Sequence, residues 1–333
     1  MGAAARTVLV TWYGSFAGAG TIGDLLAMRS AVARLAAAGH AVAHASAHEV
    51  EVTGSARLDL ARARPEDVDG LVFVCGPIIR GLPQTQALFE RFAAVPKLGI
   101  GVSLFAPGHP SHGDPFDRVL AREGRPERFE DVALAAPSDS ALAARSDPRF
   151  TVGIVLRGPQ GEYGPERSLH ERTADVVRSA ADALARRHGG RVLEIENHLA
   201  RAGLAPAAIE SRYAACDLVL SSRFHGAMLA LRHGVPFVAL DQIAGGAKVR
   251  ALLGPSGWPH VYGAETTDAR ALAAAAEDAL SPRLGARLEE VRSDALRRAE
   301  ATLERMERLV RELPPRAQAP TGSPVSASAN GFQ

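Results

Sequence analysis

Apolar runs and amphipathic stretches alternate along the chain. TVLVTWY (residues 7–13) is a short unbroken apolar run, which predicts a buried strand. The next stretch repeats its apolar residues at helical spacing and predicts a helix from about 22 to 38, ended by Gly39. AVAHASA, GLVFVCG and KLGIGVSL read as three further strands, with QTQALFERFAA as a helix between the last two. VALAAP (132–137) is a candidate fifth strand, and the Pro-, Gly- and His-rich segment from Phe105 to Phe129 reads as a loop with one short helix. The pattern then restarts. FTVGIVLR (150–157), RVLEIE, DLVLSS and PFVAL read as strands, HVYG as a short one, and 168–188 as a helix. Strand and helix in alternation imply parallel sheets covered on both faces. The expected fold is α/β, with two Rossmann-like domains.

Apolar residues recur once more from Pro282 to Leu313. Leu284, Leu288, Val291, Leu296, Ala299, Leu303, Met306 and Val310 form largely one stripe, which predicts a single long amphipathic helix. It is expected to pack on the domains; a coiled-coil homo-oligomer is the alternative. The expected organisation is residues 1–148 and 149–281 as the two domains, 282–313 as the helix, and 314–333 as a disordered Pro-, Ser- and Ala-rich tail.

Composition narrows the classes. The 333 residues are 47% hydrophobic and 23% charged, enough to bury sizeable cores. A formal net charge of +1 supplies no field that would favour nucleic acid. No apolar run reaches the 18 or so residues of a membrane span, and the first run is too short for a signal-peptide core. A cytoplasmic protein is expected, with Cys75 and Cys216 as buried free thiols. The chain is rich in Ala, Arg and Gly and has two lysines, Lys97 and Lys248, a bias typical of GC-rich bacterial genomes. A retained lysine is therefore slightly more informative than usual.

Ligands in open α/β sheets bind at the carboxyl ends of the strands. Arg157 ends FTVGIVLR, Arg223 and His225 follow DLVLSS, and Lys248 follows PFVAL, so three cations and a histidine of the second half gather on one rim. Asp24 follows the first strand and would face them across a cleft. SSRFHG also opens a helix, where free N–H groups favour an anion. Each piece has a plainer reading: Ser222 as a helix cap, Arg223 as a surface ion-pair partner, and Thr21-Ile-Gly-Asp24 as a capping box. His40, His44 and His48 would be spread along a strand, so no metal site is expected there. His109 and His112 read as loop residues. No P-loop, clean G-x-G-x-x-G in strand–helix context, G-x-S-x-G or H-E-x-x-H is present.

Taken together, TIGD24, GIVLR157, the block SSR223-F224-H225-GAMLALRHGVP and GGAK248 resemble the polysaccharide pyruvyl transferase family over roughly residues 7–255. The chain departs from the family pattern in its first half: Thr21 stands where the family has Asn, CGPII replaces a glycine triplet, and ALAAPSDS replaces a segment with an Arg near a Ser. The resemblance implies a GT-B-like arrangement of the two domains about a cleft, a fold shared with nucleotide-sugar glycosyltransferases. It implies phosphoenolpyruvate as donor substrate, with no metal or nicotinamide cofactor, and a pyruvate ketal on a sugar or glycoconjugate as product. The first domain would hold the acceptor and the second the donor. Arg157, Arg223, Lys248, Ser222 and Phe224 would bind the donor, with His225 as general acid and Asp24 acting on an acceptor hydroxyl. A lipid-linked acceptor would bring the protein to the inner membrane surface. The alternatives are a nucleotide-sugar glycosyltransferase and a non-catalytic anion-binding member.

Overall fold

The computed structural model describes residues 5–137 and 147–314. Of the tail expected over 314–333, residues 315–333 lie outside the described residues, as do 1–4 and 138–146. The chain runs β1 (Thr7–Trp12), α1 (Ile22–Ala37), β2 (Ala41–Ala45), β3 (Ala56–Leu58), β4 (Gly70–Val74), β5 (Pro77–Ile78), α2 (Pro83–Arg91), β6 (Lys97–Leu104) and β7 (Arg118–Glu123). These strands form one sheet in the order β3-β2-β1-β4-β6-β5, with β7 also paired to β6. Then come β8 (Thr151–Val155), α3 (His170–Arg187), β9 (Arg191–Glu194), α4 (Leu199–Ala202), α5 (Pro206–Ala214), β10 (Leu218–Ser221), α6 (Phe224–Arg232), β11 (Phe237–Asp241), α7 (Lys248–Leu253), β12 (Val261–Gly263), α8 (Ala269–Ala279) and α9 (Pro282–Glu312). The second sheet has the order β12-β11-β10-β8-β9. Every strand pairing in both sheets is parallel.

The strand order reverses beside β1 and β4 in the first sheet and beside β8 and β10 in the second. At such a point the connections leave to opposite sides and open a crevice at the carboxyl ends. The two crevices face each other. Backbone bonds stitch their edges together: Ile22 N–H donates to Asn197 O at 2.8 Å and Leu199 N–H to Gly20 O at 3.1 Å.

α9 returns to the first domain. Its buried stripe includes Leu284, Leu288, Val291, Ala299, Leu303, Met306 and Val310, while Leu296 is exposed. Near its end Arg311 donates to Ala38 O. Thr302 Oγ1 accepts from Glu130 N–H, and Arg298 pairs with Glu130 at 2.9 Å.

Two sequence expectations are corrected. VALAAP is not a strand: Val132–Ala135 is a 3-10 turn, because the Asp131 side chain accepts from Ala133 N–H and curls the chain. The segment from Phe105 to Phe129 is not simply a loop with a short helix. It contains β7, whose sequence RVLARE sets only three apolar residues between two arginines and so hides a strand buried at its centre.

Candidate functional site

All seven residues singled out from the sequence line one interdomain cavity of about 340 Å³: Asp24 from the first domain and Arg157, Ser222, Arg223, Phe224, His225 and Lys248 from the second. Tyr13, Pro77, Ile79 and Leu82 also line the first-domain wall, and Glu162 and Tyr163 lie on the second-domain side.

Asp24 sits in the first turn of α1. Its Oδ2 accepts from Thr21 N–H (3.0 Å) and Thr21 Oγ1–H (2.8 Å), so the capping box forms and the carboxylate still reaches the cavity. Burial pushes its pKa up, but charge on His225 and the Thr21 hydrogen bonds outweigh this and hold it below the ordinary carboxylate value. Ser222 does not cap α6. Arg223 occupies the N-cap position, and Ser222 Oγ instead accepts from Arg157 N–H at 2.9 Å, tying the loop after β8 to the loop after β10. Ser221 Oγ accepts from Arg223 N–H at 3.0 Å. Arg223 is buried and no free surface charge: Nε donates to Leu156 O at 2.7 Å, and Nη2 lies 3.6 Å from Glu196.

The two lysines differ in role. Lys97 Nζ donates to the carbonyls of Phe92, Ala93 and Val95 and closes the end of α2. Lys248 opens α7, lies 5.9 Å from the centre of the Phe224 ring, and makes no hydrogen bond or ion pair among the described residues. Burial first, and Arg122 second, lower its pKa. The Arg157 side chain likewise has no polar partner among the described residues.

His225 projects from the first turn of α6 across the cleft. Gly23 makes this possible: a Cβ there would lie 2.3 Å from His225 Cγ. Behind the imidazole is a polar cluster that sequence reasoning did not find. Nε2 is 3.2 Å from Asp131 Oδ2, 3.5 Å from Cys75 Sγ and 3.3 Å from Arg122 Nη1. Arg122, on β7, bonds Asp131 directly and donates to Ser103 Oγ. Asp131 and Arg122 are each only 1% exposed. Burial opposes ionisation of both, but the neighbours outweigh it: Arg122 and then His225 hold the Asp131 carboxyl well below its usual range, and Cys75 and then Asp131 hold the Arg122 guanidinium well above. Burial pushes the Cys75 thiol up despite Arg122, so it stays protonated. Cys75 also takes a left-handed backbone (φ 66°) at the position where glycine was expected from the resemblance.

Asp24, Cys75 and His225 offer an oxygen, a sulfur and a nitrogen within 4.8 Å of one another. That spacing is compatible with a metal ion, but the Arg122 guanidinium stands 3.3 Å from both Cys75 Sγ and His225 Nε2. A dication would have to share the space with this fixed charge. His40, His44 and His48 do not converge: His40 accepts from Arg6 N–H, His44 pairs with Ser55, and His48 bonds Ala19 O. His109 stacks on Phe105, with ring centres 4.5 Å apart, outside the cavity.

The fold is GT-B. A glycotransferase of kitacinnamycin is similar over 93% of this chain and 99% of that one, with 16% identity and a TM-score of 0.54. The glycosyltransferase SnogD from Streptomyces nogalater is similar over 92% and 99%, with 14% identity and a TM-score of 0.50. The UDP-GlcNAc 2-epimerase of Methanocaldococcus jannaschii is similar over 86% and 99%, with 10% identity and a TM-score of 0.50. Within that fold, residues 168–242 match the model of the polysaccharide pyruvyl transferase family. By this match the segment carrying Ser222, Arg223, Phe224 and His225 is that of a transferase. A search of the curated proteins gives no significant match. No helix among the described residues is long and apolar enough to cross a membrane.

Proposed function

We propose that this chain is a pyruvyl transferase that takes phosphoenolpyruvate as donor and builds a pyruvate ketal on two hydroxyls of a sugar or glycoconjugate. The observation that carries this reading is uncompensated positive charge. Among the described residues the Arg157 and Lys248 side chains face the cavity with no carboxylate partner, while Arg223 has one, Glu196 at 3.6 Å. Burial and then Arg157 lower the Arg223 pKa although Glu196 pulls the other way, as expected of cations held close together. A small trianion carrying both a phosphate and a carboxylate would satisfy all three.

In the reaction so proposed, His225 delivers a proton to the methylene carbon, which makes C2 electrophilic. One acceptor hydroxyl adds to C2, phosphate leaves as the C2–O bond breaks, and the second hydroxyl closes the ketal. Of the two hydroxyl protons released, one balances the new methyl C–H and the other leaves with phosphate. Asp24, at the acceptor wall, receives or orients a hydroxyl proton. Arg157, Arg223 and Lys248 hold the carboxylate and the departing phosphate, with Ser222 and Phe224 shaping the donor pocket. Tyr13 and Tyr163, whose phenols burial keeps protonated, offer faces and hydroxyls to a sugar. No metal or redox cofactor enters these steps. A cytoplasmic enzyme working on a lipid-linked acceptor would act at the inner membrane surface.

Thermal melting with millimolar phosphoenolpyruvate is the direct test. A rise in Tm that Arg223→Ala abolishes supports the proposal. A rise with a nucleoside diphosphate and none with phosphoenolpyruvate would replace it by a nucleotide-sugar reaction. A phosphoenolpyruvate shift without phosphate release, across a panel of sugar acceptors, would leave an anion-binding protein.

A further inference from the structure

We infer that Asp131, locked in place by Arg122, is the positioning residue for His225: it accepts a hydrogen bond from Nε2–H and leaves Nδ1 as the nitrogen that takes up and gives the working proton in the cavity. The inference rests on the functional reading above for its kinetic consequences, but its structural core stands apart from it.

The two ring nitrogens of His225 have different surroundings. Nε2 faces Asp131, Cys75 and Arg122, none of which lines the cavity. Nδ1 lies 3.9 Å from Asp24 Oδ1, and Asp24 does line the cavity. A histidine tautomer is set by the bond its other nitrogen makes. Among the groups around Nε2 only Asp131 is an ionised acceptor. Cys75 is a protonated thiol and a weak acceptor, and Arg122 can only donate. Arg122 Nη1 at 3.3 Å is within reach of a bare Nε2, but its shorter contact goes to Asp131 Oδ2, the same oxygen that faces Nε2. One carboxylate oxygen therefore receives two donors, one from the guanidinium and one from the imidazole.

Asp131 cannot swing away from this duty. Its other oxygen accepts from Ala133 N–H at 2.9 Å, and Arg122 is tied in turn to Ser103 Oγ at 3.2 Å. The charged and titratable groups around the imidazole are Asp24 on α1, Cys75 after β4, Arg122 on β7 and Asp131 before the 3-10 turn, with Lys248 on α7 beyond them. His225 belongs to the second domain, whereas Asp131, Arg122 and Cys75 belong to the first. The correct tautomer thus depends on the two domains being docked, and an opened cleft would leave the histidine unoriented.

The test is ¹⁵N NMR of the intact protein labelled at histidine, with the His225 signals assigned by their loss in His225→Gln. The expected result is a neutral ring protonated at Nε2, or an imidazolium whose Nε2–H is protected from exchange. A neutral ring protonated at Nδ1 overturns the inference. Asp131→Asn keeps an oxygen for Ala133 N–H but turns an NH₂ toward Nε2. It should move the His225 signals to the Nδ1–H form and lower kcat on the order of 10²-fold, with the phosphoenolpyruvate melting shift retained. An unchanged His225 spectrum in Asp131→Asn overturns the inference as well. If this variant does not fold, the wild-type tautomer decides. Absence of any phosphoenolpyruvate effect defeats the functional reading but leaves the tautomer result standing.

Discussion

Gly23→Ala isolates the close approach on which the site depends. The added Cβ would stand 2.3 Å from His225 Cγ, 2.5 Å from Nδ1 and 2.7 Å from Cβ. Ordinary contact between such atoms begins near 3.5 Å, so the imidazole must retreat by about 1 Å. Its path is closed on the far side by Cys75 Sγ at 3.5 Å and Asp131 Oδ2 at 3.2 Å. Either the ring slides and loses Asp131, or the domains part. Misplacing a reacting group by about 1 Å is worth about 10²-fold in rate. The stability effect has a sign that discriminates. In an open helix position, Gly→Ala stabilises by up to about 1 kcal/mol. Overpacking here destabilises by about 1–3 kcal/mol, so a net loss near 1 kcal/mol is expected. That corresponds to a fall in Tm of about 2 °C for a chain of this size. The assay is a thermal melt beside phosphate release from phosphoenolpyruvate, with Gly285→Ala as control, since nothing lies within 4 Å of its Cβ position. A Gly23→Ala protein with raised Tm and unchanged kcat would refute the close-packing argument.

Other changes test other parts of the site. Lys248→Met removes a half-buried cation that has no hydrogen-bond or ion-pair partner among the described residues, so it should raise the ligand-free Tm by a few degrees, about 0.5–2 kcal/mol, and abolish the rise with phosphoenolpyruvate; a lowered ligand-free Tm counts against an anion-seeking lysine. Arg122→Met leaves Asp131 buried without its main counter-charge and should destabilise by about 3–5 kcal/mol in urea unfolding; a loss below about 1 kcal/mol would mean that the pair is not buried as described. Asp24 and Asp131 both have depressed pKa values, so their contribution is present above the unfolded carboxylate range near pH 4 and lost as pH falls through the folded values. Unfolding free energy should therefore fall on acidification below about pH 5, less steeply in Asp24→Asn; equal slopes would remove Asp24 from the account.

The elements and the cationic rim were legible in the sequence because their signals are local. Apolar runs of five to eight residues, Gly39 after α1 and the Thr21–Asp24 capping box need only neighbouring residues. Alternation of strand and helix then puts Arg157, Arg223, His225 and Lys248 at carboxyl ends, since parallel strands in one sheet share a direction. The same locality misled at Ser222: a serine before a helix suggests a cap, but its hydroxyl accepts from Arg157 N–H, 65 residues away.

What the tertiary structure decided was which charges are buried and with whom. RVLARE gave no sign that Arg122 would be enclosed, because a charged residue breaks the apolar pattern whether it is solvated or ion-paired. Asp131 stood beside a supposed strand, and Cys75 looked like any buried thiol. Their meeting at His225 joins positions 94 to 150 residues apart from two domains. Local periodicity carries no information about such pairings; they follow from the docking of the two sheets, which brings a guanidinium, a carboxylate and an imidazole together where water is excluded and each must satisfy the others.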